Sequence, residues 1–148
     1  MANLITHNLL VIGGTGFIGH HLLKSLQKKD WNITSVSLHS PKKERFVNGV
    51  RYLHFDMVDK TLVKNYLTEE FEYVVNLCGY INHKLFQNGG RNLIDAHFIA
   101  LQNLLEVLPR GKLKRFVQIG SSDEYGNTLA PQHEELRENP ISPYSLGK

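Results

Sequence analysis

Tyr144 and Lys148 stand one helical turn apart in Ser142-Pro143-Tyr144-Ser145-Leu146-Gly147-Lys148. If that segment is helical, positions i and i+4 put the phenol and the ammonium on one face. A nearby ammonium favours the phenolate, which makes Tyr144 a candidate base near neutral pH. Alone, the same spacing also describes an exposed surface pair. Ser121 carries a hydroxyl that could align a substrate hydroxyl or cap a turn. Asp123 offers a carboxylate for a second proton transfer, or a turn residue. A second constellation opens the chain. The apolar run Leu9-Leu10-Val11-Ile12 leads into Gly13-Gly14-Thr15-Gly16-Phe17-Ile18-Gly19. Gly14, Gly16 and Gly19 fit G-x-G-x-x-G between a strand and a helix, the fingerprint of a pyrophosphate-binding turn. One glycine permits the tight turn, one lets the backbone approach the pyrophosphate, and one lets the helix pack closely on the strand. The helix start adds free N–H groups and a positive dipole end.

Alternating strands and helices must hold these groups. After Gly19, Leu22, Leu23 and Leu26 turn inward while Lys24, Gln27, Lys28 and Lys29 face out, an amphipathic helix. Strands are expected over residues 32–38, 50–55, 73–78 and 115–120. Helices are expected over residues 60–68 and 93–108, the latter stopped by Pro109 and Gly111. Residues 40–45 read as a polar loop, and Asn88-Gly89-Gly90 reads as a break in an unassigned stretch, residues 81–92. Pro143 opens a last helix. This alternation predicts an α/β fold with a doubly wound parallel sheet, strand order 3-2-1-4-5. Ligands of such sheets bind beyond the carboxyl ends of the strands, at the switch between strands one and four. Gly13 to Gly16, Ser37 to Ser40, Asp56, Cys78 to Tyr80, and Ser121 to Asp123 all fall there.

The 148 residues suit one compact domain. Lys and Arg number 17 against 14 Asp and Glu, a formal charge of +3. That excess is too mild for a nucleic-acid or membrane-surface partner. The single cysteine, Cys78, excludes an internal disulfide and fits a reducing compartment. Met1-Ala2-Asn3-Leu4-Ile5-Thr6-His7-Asn8 has no basic n-region, and no apolar run is long enough to span a bilayer. A soluble, cytoplasmic protein is expected. The histidines, including the His20-His21 pair, lack metal-ligand spacing, so no metal is expected.

Together these segments resemble the extended short-chain dehydrogenase/reductase family, in its nucleotide-sugar epimerase/dehydratase branch, over nearly the whole chain. Gly13, Gly16 and Gly19 match its Gly-x-x-Gly-x-x-Gly. Asn76-Leu77-Cys78-Gly79 looks like its strand-four cofactor segment. Ile119-Gly120-Ser121-Ser122-Asp123-Glu124-Tyr125-Gly126 resembles its Ser/Thr-rich segment ending in Tyr-Gly. Ser142-Pro143-Tyr144 through Lys148 matches its Tyr-x-x-x-Lys. The resemblance implies a Rossmann-type sheet binding NAD or NADP. It puts the cofactor against Gly13, Gly16, Phe17, Ile18, Gly19, Ser37, His39, Lys42, Asp56, Met57, Leu77, Cys78 and Gly79, with Tyr144 and Lys148. Asp56 would contact adenine. Tyr144 would be the acid/base and Lys148 would hold the nicotinamide ribose and stabilise the phenolate. Ser121 would align the sugar hydroxyl, and Asp123 could serve as second base.

Two positions depart from the family pattern. NAD users carry an acid at the end of strand two, where this chain has Ser37 followed by His39, Lys42, Lys43 and Arg45. A 2′-phosphate would not be repelled there, a lean toward NADP. His97 stands where the family places an asparagine that orders the catalytic network, and either does the same or packs in its helix. Family members continue further, so residues 1–148 are expected to be the dinucleotide-binding domain, ending just inside the catalytic helix and lacking the substrate lobe. Expected partners are a nucleotide sugar and a second copy, paired through the helices after strands four and five. The alternatives are an NADPH-dependent reductase of the same family, or a non-catalytic fragment that holds a dinucleotide or a partner.

Overall fold

A computed structural model of the chain describes residues 6–148. The reading of the N-terminus above rests largely on residues 1–5, which lie outside the described residues. Five parallel strands form one sheet in the order β3-β2-β1-β4-β5: β1 (His7–Ile12), β2 (Trp31–Ser37), β3 (Val50–His54), β4 (Tyr73–Asn76) and β5 (Arg115–Gln118). The expected order holds. In the two pairings of β1, Leu9 stands beside Ile33 of β2 and Tyr73 of β4, and Ile12 beside Val36 and Asn76.

Leu9, Leu10, Val11 and Ile12 are all buried because a central parallel strand is covered on both faces. The pleat alternates them. Leu10 and Ile12 join Val63, Val74 and Leu104 on the side of α2 (Lys60–Tyr66) and α4 (Ala100–Val107). Leu9 and Val11 join Leu23 and Ile33 under α1 (Phe17–Leu26). The Asp59 carboxylate caps α2 by accepting from the N–H groups of Thr61 and Leu62 at 2.9 and 3.1 Å, which fixes the turn from Asp56 into the helix.

Strands β2 to β5 all end one or two residues earlier than expected, and β2 also starts one residue earlier. The ladder still reaches past them through single bonds: Leu77 N–H to Ile12 O (2.9 Å) and Ile119 N–H to Asn76 O (3.2 Å). The stretch 81–92 resolves into a 3₁₀ turn, Phe86–Asn88, then Gly89 at φ +95, then α3 (Gly90–Ile94). The glycine pair read as a break is thus the start of the long helix. That helix runs from α3 through a π-helical turn, Asp95–Ile99, into α4, with right-handed helical backbone at every junction. Gly90 is glycine for a reason of space: a Cβ there would lie 2.6 Å from Pro143 Cγ and 2.9 Å from Leu85 O. Pro143 opens α5 (Pro143–Gly147), which packs against α3.

Candidate functional site

The glycine turn is tied down at both ends and open in the middle. Gly13 has φ +83, and a Cβ on it would meet Leu77 O at 3.0 Å. A Cβ on Gly19 would come 2.4 Å from Gly13 O and 2.5 Å from Gly14 Cα, so this glycine seats α1 on the turn. A Cβ on Gly16 would approach only Gly13 O, at 3.2 Å. Its outer side is exposed, and it faces a crevice of about 590 Å³. The crevice lies beyond the carboxyl ends of β1, β2 and β4. Open glycine surface at a helix start and a groove running past β4 fit a dinucleotide.

Of the residues expected to hold the cofactor, Gly13, Gly16, Ser37, His39, Asp56, Met57, Leu77, Cys78 and Gly79 line the crevice. Phe17, Ile18, Gly19, Lys42, Tyr144 and Lys148 do not, and Ser121 and Asp123, expected at the same strand ends, also lie outside its lining. Phe17 and Ile18 point into solvent, Phe17 with its ring edge-on to His21 at 4.8 Å. Gly19 is buried beneath the turn, and Lys42 is exposed before the 3₁₀ turn Lys43–Arg45. Ser37 Oγ accepts the Thr15 N–H at 3.2 Å, so this hydroxyl braces the glycine turn. The Arg45 guanidinium approaches Thr15 O at 3.5 Å, and its own carbonyl accepts from His20 Nδ1 at 3.0 Å. The basic loop is thereby held against the turn.

Thr15 and Tyr80, expected at these strand ends, line the crevice too, and so do Asn92, Asp95 and Ala96, which were not among the expected residues. Asn92, Asp95 and Ala96 have i, i+3, i+4 spacing, the signal of one helix face. Starting the helix at Leu93 hid it.

Tyr144 is buried on α5. That helix is short, but its first turn is closed. Ser142 Oγ accepts the Ser145 N–H at 3.1 Å, and Ser145 Oγ accepts the N–H groups of Ser142 and Ile141 at 2.9 and 3.0 Å. Pro143 sits where its missing N–H costs nothing. Lys148 Nζ lies 5.9 Å from the centre of the Tyr144 ring and approaches Ile119 O at 3.5 Å. Partial burial pushes its ammonium below the ordinary lysine range.

Two imidazoles flank the Tyr144 ring edge-to-face, His97 at 5.5 Å and His83 at 5.4 Å. His97 is buried, with Nε2 3.2 Å from Tyr80 O and Nδ1 buried without a partner. Burial, reinforced by the Lys148 charge, holds it neutral below the ordinary histidine range. His97 packs in its helix with its ring edge-on to Tyr144. Ser121 Oγ accepts the Asp123 N–H at 3.2 Å while Glu124 Oε1 accepts the Ser121 N–H at 2.6 Å, a reciprocal cap. The Ser121 hydroxyl keeps its own hydrogen to donate. Asp123 is half-exposed, with Oδ2 3.9 Å from His83 Nδ1. Burial pushes the Cys78 thiol up to about 11, so it is a protonated, small wall residue of the crevice.

Among the described residues, no group of three or more His, Cys, Asp and Glu could hold a metal ion. Among them, too, no helix is long and apolar enough to cross a membrane.

Known proteins bear on this geometry. The family model described as "NAD dependent epimerase/dehydratase family" matches residues 9–148. Protein CapI of Staphylococcus aureus is 29% identical over 157 residues, covering 95% of this chain and 46% of its own. A putative UDP-glucose 4-epimerase of Methanocaldococcus jannaschii is 27% identical over 146 residues, covering 95% of this chain and 47% of its own. A solved UDP-glucose 4-epimerase with UDP-glucose from Thermotoga maritima superposes with a TM-score of 0.84 at 25% identity, over 95% of this chain and 47% of that one. The chain spans about half the length of the curated relatives it matches. A five-stranded parallel sheet, an open glycine turn at its switch point and a family match over almost every residue lead to one conclusion: this chain belongs to the NAD-dependent epimerase/dehydratase family.

Proposed function

We propose that residues 1–148 form the dinucleotide-binding domain of an NAD(P)-dependent nucleotide-sugar epimerase or dehydratase, with Tyr144 as its acid/base. The observation that carries this reading is the buried Tyr144, with Lys148 beside its ring, on a helix packed against His97, whose Nε2 bonds the crevice residue Tyr80. Gly13, Gly16, Asp56 and Leu77 to Gly79 would hold a dinucleotide in the crevice. Bound there, a nicotinamide dinucleotide supplies the acceptor and donor of the hydride that such a reaction moves.

The chain's own residues handle the proton. Tyr144 Oη takes it from the sugar hydroxyl being oxidised, and the Lys148 ammonium stabilises the phenolate that does so. Ser121 donates its hydroxyl hydrogen to the developing oxyanion while its cap to Asp123 N–H holds it in place. Asp123 is the carboxylate available for a second proton transfer. The substrate is a nucleotide sugar. A second copy pairs through the helices after β4 and β5. An exposed groove of about 420 Å³ between Phe98, Leu101 and Leu105 supports that pairing.

The test is Tyr144→Phe in the full-length protein, which removes the oxygen and keeps the ring. Turnover of the sugar nucleotide should fall by about 10²–10⁴-fold with dinucleotide affinity kept. Full activity would overturn the reading.

A further inference from the structure

We infer that His83, which stands 3.9 Å from the Asp123 carboxylate, is a substrate-contacting residue that binds a sugar hydroxyl next to the one Tyr144 acts on. The inference rests on Tyr144 being the acid/base residue. The two imidazoles against Tyr144 differ in exposure: His97 is 4% exposed, whereas the His83 side chain is 63% exposed. His97 therefore backs the phenol from the protein side, and His83 covers it from the solvent side. A substrate reaching Tyr144 from solvent arrives past His83.

The chain puts His83 there deliberately in structural terms. It sits in the connection between β4 and α3, which passes through Gly79 at φ +116. A Cβ on Gly79 would overlap the His97 ring, 1.8 Å from Cε1, so the connection can pass over His97 only through a glycine. His83 then lies edge-on to Tyr144. Apolar packing does not explain an imidazole at so exposed a place.

The neighbour of His83 decides its chemistry. Asp123 Oδ2 is 3.9 Å from Nδ1. That separation is longer than a hydrogen bond, but the field of a carboxylate on that side favours hydrogen on Nδ1 over Nε2. Nε2 is then left as an acceptor, and nothing else hydrogen-bonds to it among the described residues. A bare imidazole acceptor matches a hydroxyl donor, which the sugar part of the proposed substrate carries in number. Asp123 gains a role through this pair: it is a positioning residue for His83 as well as the candidate second base.

Steady-state kinetics on the full-length protein test this. His83→Ala should raise KM for the sugar nucleotide about tenfold, the loss expected for one hydrogen bond worth roughly 1.4 kcal/mol. The dinucleotide Kd and the melting temperature should stay unchanged. His83→Gln, which keeps an acceptor at similar reach, should recover part of the loss. Asp123→Asn should raise KM in the same direction, and the double variant should lose less than the product of the two. Unchanged KM in His83→Ala, while Tyr144→Phe is inactive, would overturn this inference and leave the reading of Tyr144 standing. An active Tyr144→Phe would remove both. A rise in KM with an equal loss of dinucleotide affinity would also overturn it, because His83 would then be shaping the crevice and not meeting the sugar.

Discussion

The two ends of the sheet are built to opposite rules. At the amino ends of the strands, every strong polar group near Glu72 is answered. Its carboxylate accepts from His7 (2.9 Å) and Asn8 N–H (3.3 Å) and pairs with Lys114. Its carbonyl accepts from the N–H groups of Lys114 and Arg115 at 2.8 and 3.2 Å. The rings of His7, Trp31 and Tyr73 pack against one another at the same end, their centres 5.1 to 5.5 Å apart. At the carboxyl ends, groups are left unanswered. His97 Nδ1 is buried without a partner, the Lys148 ammonium is partly desolvated, and Gly13 and Gly79 adopt backbone that other residues avoid. His97 Nδ1 lies against the backbone at Gly79, so what it lacks is good hydrogen-bond geometry beneath the β4–α3 connection. The amino end holds the sheet together, and the carboxyl end is kept open for what binds.

The sharpest way to break this contrast lies within the glycine turn, which belongs to both rules. Gly19 is packing and Gly16 is access. Gly19→Val would drive a side chain into the backbone of Gly13 and Gly14. It should cost about 3 kcal/mol or more of fold stability, as severe overpacking does. Gly16→Val should leave the melt nearly unchanged and weaken dinucleotide binding at least a hundredfold, about 2.7 kcal/mol. Thermal melts and calorimetry on both variants separate the two roles. If Gly16→Val unfolds the protein or binds normally, the turn is not divided in this way.

The amino end should answer to acid and the crevice should not. Hydrogen bonds from Lys114, then from His7, pull the Glu72 carboxyl from the ordinary 4.5 down to about 2. A carboxyl depressed on folding stabilises the fold above its unfolded value. That contribution is lost as pH falls from about 4.5 toward 2. The melting temperature should therefore drop over that window, and Glu72→Gln should melt lower at pH 7 while losing most of this drop. Dinucleotide affinity at pH 7 should be untouched. Parallel melting curves for wild type and Glu72→Gln across that window would show that the cluster does not anchor the sheet.

How much of this could be read beforehand differs between the same two ends. The sheet was legible because buried parallel strands are written as apolar runs, and Leu9 to Ile12 is one. The glycine turn was legible because its residue types answer to local geometry. The π-helical turn, Asp95–Ile99, was not, and neither were the contacts that pack its helix. The helix is packed by close approaches in which a Cβ on Gly90 would meet Pro143 Cγ at 2.6 Å and a Cβ on Gly147 would meet His97 Cβ at 3.2 Å, between residues more than 45 apart in sequence. Periodicity sees none of them. Ser37 shows a different limit. Its position at the end of β2 was read correctly, but its partner, the Thr15 N–H, lies across two strands. The satisfied cluster around Glu72 went unread for the same reason: His7, Trp31, Glu72 and Lys114 are joined only by the sheet.

The smallest effect concerns the cofactor's far end, and it tests whether the open rule extends to the rim. Beyond β2 the crevice presents Ser37 and His39 where an acid would bind ribose hydroxyls, and Ser37 is occupied with the glycine turn. No carboxylate from β2 is there to repel a 2′-phosphate. Arg45 lies against the other side of the same turn, through Thr15 O, and its guanidinium is a fixed cation. Asp56 also lines the crevice, so the field is not purely positive. NADPH should therefore bind at least as tightly as NADH. Arg45→Ala should weaken NADPH several-fold while NADH changes little, a modest effect because a rim charge is screened by solvent and salt. Titration of both dinucleotides against both proteins gives the four constants needed. If NADH binds about tenfold tighter to the unaltered protein, a gap of roughly 1.4 kcal/mol, Arg45 is a brace for the glycine turn and the rim carries no phosphate site. Ser37→Asp then sharpens the result: a carboxylate at this position should push the preference further toward NADH by adding the repulsion that the wild-type crevice lacks.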